Sequence, residues 1–281
     1  MKRKWIRWVS WILLTPIILF VILMVLLYVP PVQNLLRREV TAYASKVTGM
    51  QIQVERIDLR FPLNLLVRGV EVIQQPDTLL SLESLNVRVQ AWPLIKGKVE
   101  VDEVTLSRVA VNSADLMEGM KIKGVLGRFF LQSHGVDLSN ELAVINQVEL
   151  SDTHMQLLMN DTTTTPKDTT ASAPINWKVA LHQLKLKNVS FGMQLPADSM
   201  RMTAHIGEAA INNAQADLKN QYYDLKKFLL SGTSASYDTG TAQPTEGFDA
   251  SHIAVRDIRI ALDSLLYKGR DMNAVIREFT M

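Results

Sequence analysis

The chain has 281 residues, 30 Lys and Arg against 28 Asp and Glu, a formal charge of +2 and no cysteine. Lys2, Arg3, Lys4 and Arg7 carry four of the positive charges, which leaves 26 basic side chains against 28 acidic ones and implies no broad nucleic-acid-binding surface. Without cysteine, disulfides, thiolate metal sites and thiol nucleophiles are excluded.

Residues 8–29, from Trp8 to Val29, form an uncharged run, WVSWILLTPIILFVILMVLLYV. As a helix this run is about 33 Å long, against about 30 Å for the hydrocarbon core of a bilayer. The basic residues ahead of it mark the side that stays in the cytoplasm. Residues 1–7 are therefore expected to be cytoplasmic, residues 8–29 to form a transmembrane anchor, and everything from Pro30 onward to lie across the membrane. Trp5, Trp8, Trp11 and Tyr28 fit interfacial aromatic belts. A cleaved secretory signal is the competing reading. Against it, the run exceeds the roughly 7 to 15 residues of a signal core, and the nearby small-x-small site, Ala42-Tyr43-Ala44, lies well past its end.

Pro30-Pro31 ends that segment. In residues 30–49, Val32, Leu36, Val40, Tyr43 and Val47 recur at steps of three and four and Gly49 suits a C-terminal cap, which predicts an amphipathic helix. Its apolar stripe packs on the first strands or lies on the outer leaflet.

Beyond Gly49 the period becomes two. Ile57, Leu59 and Phe61 alternate with Asp58 and Arg60; Leu63, Leu65 and Val67 follow; Gly69 then shifts the phase to Val70 and Val72, as a bulge or turn does. Leu85, Val87, Val89 and Ala91 continue the alternation. Trp92 to Gly97 interrupts it, and Val99, Val101, Val104 and Leu106 resume.

A short phrase recurs at Val104–Val111, Val148–Met155 and Leu184–Phe191, with apolar residues at its first, third and eighth positions; His252–Ile260 is a weaker echo. Repeated one-sided strands with no helical segment between them predict an all-β, elongated, curled sheet forming a groove, with an ordinary sandwich or barrel as the alternative. About 18 stacked strands at roughly 4.8 Å make such a groove on the order of 85 Å long. Residues 160–174 and 231–247 lack core-filling side chains and read as exposed hairpin loops, the first a flexible loop between β-groove parts at residues 50–159 and 175–281. Gln221–Leu230 reads as strand, and Lys268–Asp271 as the turn between the last two strands.

No nucleophile elbow, phosphate loop, dinucleotide fingerprint or His-Glu-x-x-His is present. The histidines, at 134, 154, 182, 205 and 252, are dispersed, and so are the acids. The sequence nominates no catalytic, metal or cofactor-binding residue and reads as a non-enzyme.

The order of features carries a resemblance. The basic start, the single apolar run and the helix ending in Gly49 are followed by Val54-Glu-Arg-Ile-Asp-Leu-Arg-Phe-Pro62. Then come Leu65 to Gly69-Val70 and Pro93-Leu94-Ile95-Lys96-Gly97-Lys98-Val99 leading into Val104-Thr-Leu106. This arrangement resembles the amino-terminal part of AsmA-like proteins and is most similar to their TamB branch, the inner-membrane component of the translocation and assembly module. The specific likeness covers Met1 to Val111. It implies an inner-membrane protein with a single span, its bulk periplasmic, whose sheet curls into a groove and takes part in phospholipid transport or outer-membrane biogenesis. TamB proteins are several times longer and carry a carboxy-terminal domain that nothing here matches, so the resemblance implies a truncated relative.

Two functions follow as expectations. In the first, the chain is a membrane-anchored lipid-transfer conduit with phospholipid as its partner and no cofactor. Its trough is lined by Leu59, Phe61, Val87, Val89, Val104, Leu106, Val148, Leu150, Leu184 and Leu186, because an acyl chain needs continuous apolar surface and one-sided strands provide it. In the second, it is a protein-assembly factor that engages outer-membrane protein strands, or an outer-membrane assembly-module protein, through exposed sheet edges.

Overall fold

The computed structural model describes residues 29–60, 63–95, 100–113, 119–137, 141–159, 176–240 and 247–281. The expected cytoplasmic segment 1–7, all of the expected anchor 8–29 except Val29, and the expected flexible loop 160–174 lie outside the described residues. Among the described residues no helix is long and apolar enough to cross a membrane.

Helix α1, Pro30–Thr48, starts where Val29 is extended and proline occupies its first turn, and stops at Gly49, whose φ of 70° allows its N–H to donate to the Ser45 carbonyl at 3.0 Å. The helix packs on strand β1, Gln51–Arg60. Three residues of the apolar stripe, Val40, Tyr43 and Val47, are 47%, 71% and 66% exposed. Polar side chains bond to the strand. Gln33 donates to the Leu59 carbonyl at 3.1 Å, Arg37 donates to the Glu55 carbonyl at 2.9 Å, and the Ile52 N–H donates to the Ser45 hydroxyl at 3.1 Å. These are backbone groups that an edge strand leaves without a ladder partner, so α1 is held where such groups need satisfying.

The remaining strands are β2 Asn64–Gln74, β3 Asp77–Val89, β4 Val101–Asn112, β5 Met120–Asp137, β6 Leu142–Met159, β7 Lys178–Leu195, β8 Met200–Asp217, β9 Tyr222–Asp238, β10 His252–Lys268 and β11 Asp271–Thr280. A five-residue helix α2, Ala91–Ile95, separates β3 from β4. All eleven strands form one open sheet in strict chain order. Every neighbouring pair is antiparallel except β6 and β7, which run parallel. The fold is all-β, and the sandwich alternative is not realised: among the described residues the substantial contacts are those between adjacent strands and that of α1 with β1.

Three expectations need correcting. Among the described residues the sheet has eleven strands, not about eighteen, so its extent across the strands is about 48 Å. The strands are instead long, 17 or 18 residues each from β5 to β10, because each repeated phrase is only part of one strand. Ser231 to Asp238, read as loop, is strand β9 continuing: Ser231 lies opposite Glu208 and Ser236 opposite Thr203, whose hydroxyls meet at 2.7 Å. Small hydroxyl side chains signal β weakly, but two flanking strands pair them regardless. Finally, the segment after Met159 does not close a hairpin, because the parallel pairing of β6 and β7 requires a return along the whole strand.

A crease runs across the sheet. Gly69, Arg108, Asp152, Asn188, Gly232 and Asp257 have φ of 58°, 46°, 51°, 52°, 57° and 54°. The flanking pairs place them in one transverse line with Glu55, Glu83, Gly127 and Gly207 of the intervening strands. Left-handed backbone interrupts the alternation, so the spacing of inward residues there becomes three instead of two. Exposure records the slip as doublets, Glu55-Arg56, Lys187-Asn188 and Arg256-Asp257, each with both residues exposed. Asp and Asn tolerate this conformation better than other side chains; Asn188 donates to Asp152 at 2.8 Å, and Arg108 is ion-paired to Glu83. Gly127 is required for space, since a Cβ there would lie 2.7 Å from the Asp152 Cβ. The phase shift read at Gly69 is thus one point on a line across ten strands.

Candidate functional site

Register converts the alternation into rows. Leu59 faces Leu65, which faces Val87, and the line continues through Val104, Leu131, Val148 and Leu184. It runs on through Ile211, Phe228 and Leu262 to Ile276 on the last strand. A second row, two residues along each strand from β1 to β10 and three along β11 where the register skips Arg277, begins Ile57, Val67, Leu85, Leu106, Phe129, Leu150 and ends Leu186, Ala209, Leu230, Ile260, Phe279. Directly opposed residues project to one side of a sheet, and so do residues two apart. Each row therefore takes one apolar side chain from every strand, and neither contains a polar or charged residue.

Eight of the ten trough candidates lie in these rows: Leu59, Val87, Val104, Val148 and Leu184 in the first, Leu106, Leu150 and Leu186 in the second. Val89 lies opposite Val101 at the end of β3, outside both rows. Phe61 lies outside the described residues. The sequence reading missed the contributions of β5 and β8 to β11, including Phe129, Leu131, Ile211, Phe228 and Ile276. The spacing of Leu126, Phe129 and Leu131, three then two, carries the same signal once the crease is known.

Beyond the crease the apolar spacing resumes on the same face. Val54, Val70, Leu82, Val109 and Leu126 form a further row, with Val189 and Ile206 in line on β7 and β8. Without the slip these residues would face away from Leu59 and its partners. The crease thus widens a single apolar face.

That face is half-covered: along the two rows Ile57 and Ala209 are buried, Ile276 and Phe279 are exposed, and the others lie between. Full burial of a Val or Leu side chain is worth roughly 1.5 to 3 kcal/mol, so a single-layer sheet leaves much of that gain unrealised.

The opposite face is mixed: Leu66, Phe130 and Leu229 lie on it among polar side chains that pair with one another. Arg88 meets Glu103 at 2.6 Å, Gln147 donates to Glu149 at 2.6 Å, and Lys185 lies 3.8 Å from the same Glu149. Of the histidines, His154 lies 3.0 Å from Gln156, His205 lies 3.0 Å from Ser190, and His252 lies 3.1 Å from Asp249. Among the described residues no three His, Asp or Glu side chains converge as metal ligands. At the turn joining β8 to β9, Asn220 donates to Asp217 through its side-chain amide at 2.8 Å and its backbone N–H at 3.1 Å, and these bonds, with Lys178 nearby, hold the Asp217 carboxyl below its usual range.

The chain matches no protein-family model and no curated protein.

Proposed function

We propose that the chain is a membrane-anchored lipid carrier of the bacterial envelope, a conduit or bridge whose apolar face is covered by phospholipid acyl chains. The observation that carries this reading is the pair of apolar rows crossing every strand, from Leu59 to Ile276 and from Ile57 to Phe279. A contiguous, half-covered apolar surface of this extent suits an interaction site, and among the described residues no second layer lies on it. An acyl chain suits the rows because it offers continuous methylene surface and needs no hydrogen-bond partner. Curling of the sheet toward this face would turn it into a trough. The uncharged run from Trp8 to Val29 supports attachment to the inner membrane with the sheet on the periplasmic side. The exposed Val40, Tyr43 and Val47 of α1 then suit the outer surface of that membrane.

The test is mass spectrometry of phospholipid bound to the purified full chain after exchange into a lipid-free detergent. Retained phospholipid that is lost when Val104 or Leu184 becomes Asp supports the conduit. A chain free of phospholipid overturns it.

A further inference from the structure

Strands β5 to β8 carry, beyond the crease and on the face turned away from the apolar rows, a depression of about 380 Å³. Alternation fixes its side of the sheet: the side chains of Ser190 and Gln194 and the open position of Gly192 face it, while Phe191 and Met193 between them project the other way. Register builds the walls. Lys121 and Arg201 stand at the two ends of one line of paired residues, and Lys123 and Thr203 at the ends of the next, which passes through Gly192. Three strand spacings, about 14 Å, separate the ends of each line, so cationic side chains reach in from β5 on one side and from β8 on the other. His154 and His205 flank Ser190 in the third line, with the Ser190 hydroxyl 3.0 Å from His205 Nδ1. Gly192 is the floor, and a Cβ there would come no closer than 3.8 Å to Gln156. Among the described residues no Asp or Glu lines the depression. Nearby acids stay outside it: Asp152 accepts from Asn188 at 2.8 Å, and Asp238 lies across from Arg201 on β9.

We propose that this depression binds a phosphate ester, with the phosphate held between the β5 lysines and Arg201 and the body of the ester seated over Gly192. A cavity ringed by cations and hydrogen-bonding side chains, with no acid in its wall, calls for an anion. Phosphate suits it better than carboxylate. The donors converge from two sides of the depression, and a phosphate presents oxygens in several directions where a carboxylate presents two in one plane; Arg meets them as a fork and Lys as a point charge. The volume exceeds that of a bare phosphate and falls within the roughly 300 to 1,000 Å³ of small-molecule pockets. The phosphate therefore arrives on a larger body, a soluble sugar or glycerol phosphate or the headgroup of a phospholipid. The site faces away from the apolar rows and stands whether or not those rows carry acyl chains.

The experiment titrates the full chain, purified in a maltoside detergent, with glycerol 3-phosphate and separately with dihexanoyl phosphatidate. The readout is the Cε1–H NMR resonances of His154 and His205, with His182 near the other end of β7 as reference. Saturable shifts of His154 and His205 but not His182 are expected, and none with glycerol. Lys123→Ala and Arg201→Ala are each expected to raise Kd about tenfold, whereas Lys227→Ala, exposed on β9 outside the depression, changes it by less than about twofold. Gly192→Val fills the floor without altering charge. Gly192 lies within β7 without a positive φ and its Cβ has room, so Tm is expected to hold while the shifts vanish. Tighter binding of dihexanoyl phosphatidate than of glycerol 3-phosphate supports the proposal with a lipid headgroup as the source, and equal or weaker binding supports it with a soluble ester. Absence of shifts with both ligands, shifts that survive Gly192→Val, or equal weakening by Lys227→Ala overturns it.

Discussion

Val148 and Leu184 lie side by side across the parallel pair β6 and β7, and every partner in that pair is offset by the same 36 positions. The repeat visible in the sequence is thus also a register, since two copies of one phrase stack like on like. The third copy joins through β5, where Leu131 faces both Val104 and Val148.

The parallel pairing makes the length of the connection between Met159 and Lys178 consequential. Lys178 lies beside Leu142, at the far end of β6 from Met159, a distance of roughly 56 Å at about 3.3 Å per residue. Nineteen steps of chain reach at most about 63 to 68 Å. Replacing residues 162–170 by Gly and Ser is expected to leave stability within about 0.5 kcal/mol. Deleting them is expected to break the β6–β7 register, read as loss of a short bismaleimide crosslink between cysteines introduced at Val148 and Leu184. Retention of that crosslink in the deletion contradicts the return path.

At the crease, Gly127→Val puts a branched side chain against Asp152, where even a Cβ would stand 2.7 Å from its Cβ. Overpacking of this kind costs about 1 to 3 kcal/mol. Urea unfolding is expected to show a lower midpoint with an unchanged slope, while Thr105→Val, on the neighbouring strand and away from the clash, stays near wild type.

Loss of the α1 cap should be local. Ser45→Ala removes the acceptor of the Ile52 N–H, and a lost hydrogen bond of this type costs about 0.5 to 1.5 kcal/mol. Amide exchange at Ile52 is expected to accelerate roughly 2- to 12-fold, with β5 and β6 amides unaffected. Equal acceleration throughout the sheet would mean that the helix supports the whole fold and not one edge.

Lipid occupancy should depend on the side of the sheet. Asp placed at Val104 enters the first row, whereas Asp placed at Thr105 points to the other face. Burying a charge without a partner is costly, so bound phospholipid is expected to fall by more than half for Val104→Asp and to stay near wild type for Thr105→Asp.

Asp217 gives a pH signature. Its carboxyl is held below the ordinary value, first by the side-chain amide of Asn220. A lowered folded-state pKa adds stability above the unfolded value, and that increment disappears as pH falls through the folded value. Asn220→Ala is therefore expected to raise the Asp217 pKa in a carboxyl NMR titration. The stability difference from wild type should be present at neutral pH and vanish in acid; a difference constant with pH would exclude the carboxylate as its source.

What the sequence by itself determined was local. Alternation at Leu85, Val87 and Val89 made strands, the spacing of Val32, Leu36 and Val40 with Gly49 made a capped helix, and the missing motifs left no catalytic group to place. Such signals depend on a residue and its near neighbours, so one chain displays them. Tertiary structure decided the rest. Backbone donors and acceptors are the same at every residue, so which strands pair, and in what direction, is settled only when the whole array satisfies them together. That is why the parallel pair, the alignment of Arg108 with Asp152 and Asn188 in one crease, and the strand character of Ser231 to Asp238 appear only in the fold. The use of α1 followed the same logic: its apolar stripe was legible, but the unmet hydrogen bonds of β1 turned Gln33, Arg37 and Ser45 toward the sheet. Eight residues of the two apolar rows could be read in advance because they sit in strong alternation; the alignment of those rows across eleven strands was set by register alone.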